Sequence, residues 1–450
     1  MRYHIWTIGC QMNVADSQRV AAGLERLGYE PAKRAEDADV ILLNTCVVRQ
    51  QPEDKAVGRL NQLRRVKKQH PERVLALMGC MVGNREPVKL RKRFPWVDLF
   101  LPPSDPTALW TLLAEREMLD EAQTLIADAE ARRLALGRSD TILPPSAEAQ
   151  TVSAYLPIVL GCSHACTYCV IPYRRGAERS RPLDVIVAEA RQMASQGVKE
   201  ITLLGQIVDR YGYDLPEFAD AQESPLVTLL REIHTIDGFE RIRFLTSHPQ
   251  WMKDDLLRAV AELPKLCEHI EVPVQAGDDT VLARMRRGYT VDAYRKLVAR
   301  IRELIPGASI ATDIIVGFPG ETEAQFENTY ALLEELRLDK AHIARYSARP
   351  LTVATRKFKD ALSREEKERR RRKLDQLQSG ILEELNARYL GETVAVLVEG
   401  KRKQRWYGRT RTDRLVFFDA SGDWLGRMAQ VKITWTGPWS LVGEVDDAAS

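Results

Sequence analysis

Three cysteines near the middle of the chain are close enough in sequence to bind one metal centre together. Cys162, Cys166 and Cys169 lie in one short segment that follows an apolar run. Cysteine thiolates hold iron–sulfur clusters, and three of them satisfy three irons of a cubane cluster. Since the segment has no fourth cysteine, the remaining iron would be open to an exchangeable ligand.

Two other interpretations of this segment stay open at this point. His164 lies between the first two cysteines, so a zinc site is one alternative, and an ordinary cysteine-rich loop is another. A structural zinc site normally has four closed ligands, often from paired Cys-x-x-Cys motifs. The spacing around His164 suits that pattern poorly, so the sequence favours a cluster.

Three further cysteines each follow an apolar run in the first 80 residues. Three segments, 3–8, 39–45 and 73–79, have the continuous apolar character of buried parallel strands. They are followed by Cys10, Cys46 and Cys80, respectively. Ligands of an open parallel α/β sheet bind outside the carboxyl ends of its strands. We therefore expect these cysteines to meet at one sheet edge and to hold a second metal cluster. The alternative is three buried structural cysteines.

Composition narrows the class of protein. The 450 residues include 66 basic and 63 acidic side chains, a net charge of +3, 44% apolar residues and seven cysteines. These values are typical of a soluble globular protein with more than one domain. The N-terminus does not resemble a secretory signal, and no apolar run reaches the roughly 20 residues of a membrane span. Seven cysteines without an export signal indicate a reducing, cytoplasmic environment.

The order of apolar patterns predicts an α/β protein with three domains. Residues 1–114 are predicted to form an open parallel α/β sheet, and 115–150 a partly helical connector. Strand-like runs at 156–160, 200–204, 241–245, 269–274, 309–316 and 340–346 alternate with amphipathic helices, which predicts a partial (β/α)6 barrel over 151–362. A charged helix is predicted at 363–387, and short strands over 388–445 predict a small antiparallel barrel.

The central cysteine segment resembles the signature of the radical S-adenosylmethionine (SAM) superfamily. Its spacing, with Tyr168 before the last cysteine, is that superfamily's Cys-x-x-x-Cys-x-x-Cys pattern. The resemblance implies that Cys162, Cys166 and Cys169 are the catalytic cluster ligands and that SAM binds the open iron. A reduced cluster would then cleave SAM to methionine and a 5′-deoxyadenosyl radical, with the protein orienting the reactants.

Read from end to end, the chain resembles the methylthiotransferase family, and most closely its MiaB type. Two departures are visible, since Ile207 stands where that type usually has Asn and Leu351 interrupts its usual Pro-Gly-Thr pattern. The amino-acid sequences of the segments Gly9–Asn13 and 203–206 favour the MiaB type over RimO-like enzymes and over the threonylcarbamoyladenosine branch. The segments that carry the family resemblance are 9–13, 44–49, 79–81, 173–181, 203–212, 246–249, 273–277 and 313–323.

The resemblance implies a reaction, cofactors and contacts. A methylthio group would be added to C2 of N6-isopentenyladenosine next to the anticodon of tRNA, with SAM and two 4Fe–4S clusters as cofactors. Acid–base catalysis could not activate such a C–H bond at neutral pH. Both triads must then face one cavity. The metal ligands would be Cys10, Cys46, Cys80, Cys162, Cys166 and Cys169, and the SAM contacts Tyr168, Gly205, Gln206, Thr246 and Gln275.

The C-terminal domain resembles a TRAM domain, a small RNA-binding barrel. Basic residues interleaved with aromatic ones between 401 and 414 are suited to phosphate contact and base stacking. For Trp424, Trp435 and Trp439, a place in the core of this barrel is the alternative to RNA contact. The predicted RNA contacts are Lys401, Arg402, Lys403, Arg405, Trp406, Arg409 and Arg411.

Partners and rival functions follow from the same resemblance. We expect tRNA as substrate, an electron donor of the flavodoxin or ferredoxin type, no membrane, and a monomer. Two rival enzymatic substrates are threonylcarbamoyladenosine in tRNA and a ribosomal protein. A rival of another class is a non-catalytic iron–sulfur protein that binds RNA or senses oxidants, which would need no open iron.

Overall fold

The structure is a computed structural model that describes residues 1–84, 87–117, 125–126, 143–148 and 151–445. The predicted connector, 115–150, lies for the most part outside the described residues. The domain boundaries given above stay predictions. Within the described part of the chain, no helix is both long enough and apolar enough to cross a membrane.

The N-terminal region is an open, wholly parallel sheet, as predicted. Its five strands have the order β2-β1-β3-β4-β5, and Cys46 and Cys80 directly follow β3 and β4. Cys10 follows β1 and immediately precedes a helix. The elements are β1 (Arg2–Ile8), α1 (Gln11–Arg26), β2 (Glu30–Pro31), β3 (Val40–Thr45), α2 (Gln50–Gln69), β4 (Val74–Gly79), α3 (Val88–Arg93), β5 (Leu99–Leu101) and α4 (Thr107–Glu117).

Two apolar layers cover this sheet. Ile41 and Leu43 of β3 pack on the side of α2, and Val40 and Leu42 pack on the side of α1. Every residue of β3 and β4 is buried. Burial on both faces explains why these strands are continuous apolar runs rather than alternating ones.

The central region is the predicted six-stranded partial barrel. Its strands form two parallel three-stranded sheets, β6-β9-β10 and β11-β12-β13, which a parallel bridge from Ile242 to Leu266 joins. The strands are β6 (Ser153–Pro157), β9 (Glu200–Leu204), β10 (Arg241–Leu245), β11 (His269–Glu271), β12 (Ser309–Val316) and β13 (Lys340–Arg345).

Helices precede, separate and follow these strands. They are α5 (Pro145–Glu148), α6 (Ile171–Arg175), α7 (Leu183–Ser195), α8 (Pro225–His234), α9 (Asp254–Glu262), α10 (Asp279–Met285), α11 (Val291–Leu304), α12 (Glu323–Leu336) and α13 (Val353–Lys357).

The first predicted barrel strand is divided in two. Residues after Pro157 leave the barrel and form β7 (Val159–Leu160), which pairs antiparallel with β8 (Arg179–Ser180). This pairing carries the chain across the carboxyl ends of the barrel strands, so the central cysteines lie over the barrel mouth.

A long helix leads to the C-terminal barrel. This helix, α14 (Arg364–Ala387), is capped by Ser363, whose side chain accepts a hydrogen bond from the Glu366 N–H. The barrel is closed with the strand order β14-β15-β16-β18-β17. Its strands are β14 (Thr393–Arg402), β15 (Arg405–Arg409), β16 (Leu415–Asp419), β17 (Met428–Thr436) and β18 (Leu441–Val445).

One detail of this barrel differs from the prediction. The pairing of β16 with β18 is parallel, because the chain crosses from one to the other through β17 instead of a hairpin. Trp435 and Trp439 lie outside the core, with 53% and 64% of their surface exposed. Of Trp424, Trp435 and Trp439, only Trp424 packs against the core.

The loop 409–414 of the small barrel docks on the central barrel. Arg243 donates hydrogen bonds of 2.8 Å to the carbonyls of Thr410 and Arg411. Arg411 in turn bonds the Glu268 carboxylate at 2.8 Å. Glu268 precedes β11, and Arg241, the first residue of β10, also donates to the Arg409 carbonyl. This contact therefore lies toward the end of the barrel opposite to its mouth.

A buried ion cluster joins the N-terminal sheet domain to the central barrel. Glu189 on α7 pairs with Arg181 at 2.6 Å and with Arg19 of α1 at 2.8 Å. The side chains of Glu189 and Arg181 are each 1% exposed. The cluster therefore fixes α1, which follows the first cysteine, against the barrel that carries the central triad.

Candidate active site

Cysteines from both triads line a single cavity of about 580 Å³. Its walls include Cys10, Cys46 and Cys80 of the sheet and Cys169 of the central triad. The carboxyl ends of parallel strands in both domains thus meet, as expected for ligand sites in α/β folds. The structure brings together residues that are far apart in the sequence.

The turn after β4 places Cys80 at this edge. Gly79 has φ +98°, and a Cβ there would lie 2.5 Å from the Thr45 carbonyl oxygen. Only glycine fits such a close approach in this backbone region. Asn13 and Asn44 support the neighbouring cysteine loops, since Asn13 Nδ2 donates to Asn44 Oδ1 at 2.8 Å.

Burial raises the pKa of two of the N-terminal thiols, those of Cys46 and Cys80. Desolvation, with the neighbouring Cys80, raises the pKa of Cys46 to about 12. Burial also raises the pKa of Cys80, while the Arg175 guanidinium opposes that shift. Thiolates packed together in this way need a cationic centre to stabilise them, and a metal cluster supplies one while displacing the protons.

The central triad sits in a loop that is bonded to the barrel. Thr167 donates from its backbone N–H to the Met285 carbonyl at 3.0 Å and from its hydroxyl to the Arg284 carbonyl at 2.8 Å. Gly161 has φ +69°, and a Cβ there would lie 2.1 Å from the Ala177 carbonyl oxygen. The loop that holds the cysteines is therefore fixed at both ends.

The three central thiols differ in their electrostatic surroundings. Burial raises the pKa of Cys162 to about 11 and that of Cys169 to about 12. Burial would also raise the pKa of Cys166, but a hydrogen bond from His164 and the charge of Arg287 lower it.

The donor set fits an iron–sulfur cluster. Among the residues that the structure describes, no three His, Cys, Asp or Glu side chains are placed to hold a single metal ion. In a cubane cluster each thiolate binds a different iron, so its cysteines need not converge on one ion. Each triad consists of three neighbouring thiols without a carboxylate among them, and sulfur is the donor that such clusters take.

The predicted SAM contacts line two adjoining cavities. Gly205, Gln206 and Thr246 face the cavity between the triads. Tyr168 and Gln275 face a smaller cavity of about 170 Å³, and Cys169 lines both. All five predicted residues are therefore at the barrel mouth.

Two of these residues have strained backbones. Thr246 has φ 69° and Gln275 has φ 76°, a region that costs non-glycine residues of order 1–3 kcal/mol. The Gln275 backbone is held there by β12, because its N–H donates to the Asp313 carbonyl and its carbonyl accepts from the Ile315 N–H. Such strain is concentrated at functional sites, and both residues line the cavities.

Several charged residues that line these cavities were not among the predicted site residues. Arg49, Asp313 and His342 line both of them, and Glu271 lines the larger. Burial, with the nearby Asp313, raises the pKa of Glu271 to about 7. Charged residues within otherwise apolar barrel strands, such as Asp313 in 309–316, were the available sequence signal.

The two departures from the MiaB pattern have different surroundings. Ile207 is buried beside Cys162 and Ile171, where it adds apolar cover to the central triad. Leu351 is 47% exposed and has φ 76°, so a leucine occupies a backbone conformation that suits the usual glycine.

The predicted RNA strip divides into an exposed and an engaged part. Lys401, Arg402, Lys403 and Arg405 are exposed around the turn between β14 and β15, and Arg405 also pairs with the exposed Asp419 at 3.2 Å. The other predicted contacts are not free at the surface, because Trp406 is buried in the barrel core, Arg409 pairs with Asp413 and Arg411 pairs with Glu268.

Three family models match successive parts of the chain. The Radical SAM superfamily matches residues 156–333, the model described as Uncharacterized protein family UPF0004 matches 2–102, and the TRAM domain matches 387–445. The matches coincide with the barrel, the N-terminal sheet and the C-terminal barrel.

Curated relatives match over nearly the whole chain. The protein from Roseiflexus sp. is 50% identical over 445 residues, which are 98% of this chain and 89% of the relative. The protein from Chloroflexus aurantiacus is 48% identical, over 100% of this chain and 93% of its own. Both relatives bear the name tRNA-2-methylthio-N(6)-dimethylallyladenosine synthase.

The radical SAM methyltransferase TsrM from Kitasatospora setae has a similar fold. Its structure matches with a TM-score of 0.52 at 15% identity, covering 78% of this chain and 76% of TsrM. At this identity the likeness concerns the fold alone.

Proposed function

This chain belongs to the MiaB-type tRNA methylthiotransferase family, and we propose which step of the reaction depends on each cysteine triad. The enzyme is a radical SAM methylthiotransferase that adds a methylthio group to C2 of N6-isopentenyladenosine in tRNA. It uses SAM and a 4Fe–4S cluster. We place the cluster on Cys162, Cys166 and Cys169, and a second 4Fe–4S cluster on Cys10, Cys46 and Cys80.

The observation that carries this proposal is the shared cavity. Cys10, Cys46, Cys80 and Cys169 line one space of about 580 Å³. A transfer of sulfur to carbon requires the sulfur carrier and the activated carbon to be within bonding reach. Cysteines of both triads that line one cavity support the proposal that a base enters the space they share.

The residues around the cavity bind, orient and exclude water. When bound, the central cluster supplies the electron that cleaves SAM, which gives the radical that removes hydrogen from C2 of the adenine. Tyr168, Gly205, Gln206, Thr246 and Gln275 are proposed to hold SAM at the open iron corner. The strained backbones at Thr246 and Gln275 support this assignment, because fixed groups hold reactants in place at little reorganisation cost.

The experiment that tests this function is nucleoside mass spectrometry. Anaerobically reconstituted enzyme, SAM, a reductant and tRNA that carries N6-isopentenyladenosine should yield the 2-methylthio nucleoside together with 5′-deoxyadenosine. Threonylcarbamoyladenosine tRNA and a ribosomal protein serve as competing substrates. Modification of either competitor in place of the isopentenyl nucleoside would overturn the substrate assignment.

We propose that tRNA contacts the exposed turn of the C-terminal barrel. The base to be modified is proposed to be the one next to the anticodon. Double replacement of Arg402 and Lys403 by Gln is expected to weaken tRNA binding and to reduce the salt dependence of the affinity by about two phosphate contacts. Filter binding or anisotropy over a salt series measures both quantities.

The matched control for this pair lies on the outside of the central barrel. Arg295 and Lys296 are exposed and already paired with Glu335 and Asp292. Their double replacement by Gln removes the same charge and should leave the salt slope unchanged. Equal losses from both pairs would show that overall charge, and not this turn, governs binding.

The remaining partners follow from the chemistry. A one-electron donor of low potential is needed, and we propose the flavodoxin or ferredoxin type. We also propose that the enzyme acts as a monomer in the cytoplasm, where tRNA is found and where cysteines stay reduced.

A further inference from the structure

Each cysteine triad has one sulfur that accepts a hydrogen bond from a buried arginine. Arg175 Nε donates to Cys80 Sγ at 3.2 Å, and Arg287 Nη1 donates to Cys166 Sγ at 3.2 Å. The two arginines are only 7% and 5% exposed. A guanidinium keeps its charge when buried, so each triad lies beside one fixed positive charge.

Arg175 reaches Cys80 from the other domain. It ends α6, the short helix that follows the central triad, whereas Cys80 follows a strand of the N-terminal sheet. The hydrogen bond therefore crosses the boundary between the sheet domain and the barrel. It connects the segment that follows one triad to a ligand of the other.

The rest of the guanidinium is held in place by two groups of the N-terminal domain. Its Nη1 donates to Ser104 Oγ at 3.3 Å, and its Nη2 lies 3.6 Å from Asp16 Oδ2. Among the residues that the structure describes, no hydrogen-bond partner lies closer to Nη2 or to Asp16 Oδ2. These contacts fix the plane of the guanidinium while Nε stays directed at sulfur.

We infer that Arg175 is a positioning residue that sets the reduction potential of the cluster on Cys10, Cys46 and Cys80. This inference rests on the proposed function, since it requires a cluster at that triad. Hydrogen bonds to the ligand sulfurs and nearby charge are principal determinants of cluster potential. One-electron reduction adds a negative charge, which the guanidinium stabilises, so Arg175 makes the potential more positive.

The test uses the full-length chain with Cys162, Cys166 and Cys169 replaced by alanine, so that only the N-terminal triad can hold a cluster. After anaerobic reconstitution, a dithionite titration followed by electron paramagnetic resonance gives the midpoint potential. Arg175→Gln should shift the midpoint to a more negative value. Arg175→Lys should shift it less, because the charge stays while the Nε–H···S bond is lost.

Arg287→Gln in the same background is the matched control. It removes a similarly buried arginine whose sulfur partner is already absent, so the midpoint should not move. In the converse background, with Cys10, Cys46 and Cys80 replaced, Arg287→Gln should shift the central midpoint and Arg175→Gln should not.

The outcomes separate this inference from the proposed function. A parent chain that binds no iron at the N-terminal triad would overturn the proposed function and the inference with it. A parent that holds the cluster, with a midpoint unmoved by either Arg175 variant, would overturn the inference alone. If Arg175→Gln fails to retain iron, the midpoint of Arg175→Lys decides the matter by the same criterion.

Discussion

Replacement of Cys166 by alanine is expected to reduce the formation of both 5′-deoxyadenosine and methylthiolated tRNA by at least about a thousandfold. Removal of a central catalytic group typically lowers the rate of a reaction by this order of magnitude. Each central cysteine binds a separate iron, and the segment offers no spare sulfur. Cys166 is also the sulfur that Arg287 contacts. Liquid chromatography of the reaction products after anaerobic reconstitution measures both losses.

A variant of the other triad separates the two halves of the reaction. Cys80→Ala should retain SAM cleavage to 5′-deoxyadenosine and lose the methylthio product, because the central triad is intact. If Cys80→Ala abolished both products while it kept the central cluster, the proposed division of work would be wrong.

Cys267 provides the control for cysteine replacement in general. It is buried but lies by Arg243 and Glu200, at the far end of the barrel from the cavity. Cys267→Ala should therefore keep activity within about twofold, since it removes a single buried sulfur from a site away from the chemistry. A loss as large as that of Cys166→Ala would indicate that folding, and not cluster binding, explains both.

Replacement of Glu189 by glutamine should lower the free energy of unfolding by about 3–5 kcal/mol, the usual cost of breaking a buried ion pair. Glutamine preserves the size but leaves the charges of Arg181 and Arg19 without their carboxylate. Urea unfolding followed by circular dichroism gives the change.

An exposed pair of the same type is the control for this substitution. Glu335 pairs with Arg295 at the surface, where the side chains are 49% and 41% exposed. Glu335→Gln should cost less than about 1 kcal/mol. Similar losses from both variants would contradict a special role for the Glu189 cluster in joining the two domains.

Much of the architecture could be predicted because burial on both faces leaves a simple pattern. The strands β3 and β4 are apolar at nearly every position, and each ends at a cysteine. The rule that ligands gather at carboxyl ends of parallel strands then predicted that these cysteines lie together. The prediction of a shared cavity also depended on how the two domains are placed relative to each other. That placement was inferred from the family resemblance and not from any single motif.

The contacts that the sequence could not predict are long-range and polar. Arg175 and Cys80 are 95 residues apart, and Arg287 and Cys166 are 121 residues apart. A run of basic residues gives no indication of which member reaches a buried sulfur. Arg411 is a similar case, because its sequence neighbours suggest RNA binding while Glu268 holds it against the barrel.

The exposure of Trp435 depends on a feature of β17 that the sequence pattern does not show. A β-bulge between Ile433 and Trp435 shifts the register of β17. Beyond such a bulge the alternation of inward and outward side chains changes phase. Trp435 therefore faces outward, although aromatic residues in short strands usually suggest a core position.

The attachment of loop 409–414 to the far end of the barrel sets a minimum length for any molecule that occupies both ends at once. A five-residue strand such as β10 spans roughly 16 Å at about 3.3 Å per residue. A free nucleoside is too short to bridge that span, whereas a folded polynucleotide can follow the outer wall from one end to the other. If tRNA contacts the small barrel while its base enters the cavity, as proposed, the position of that barrel favours a substrate longer than an isolated nucleoside.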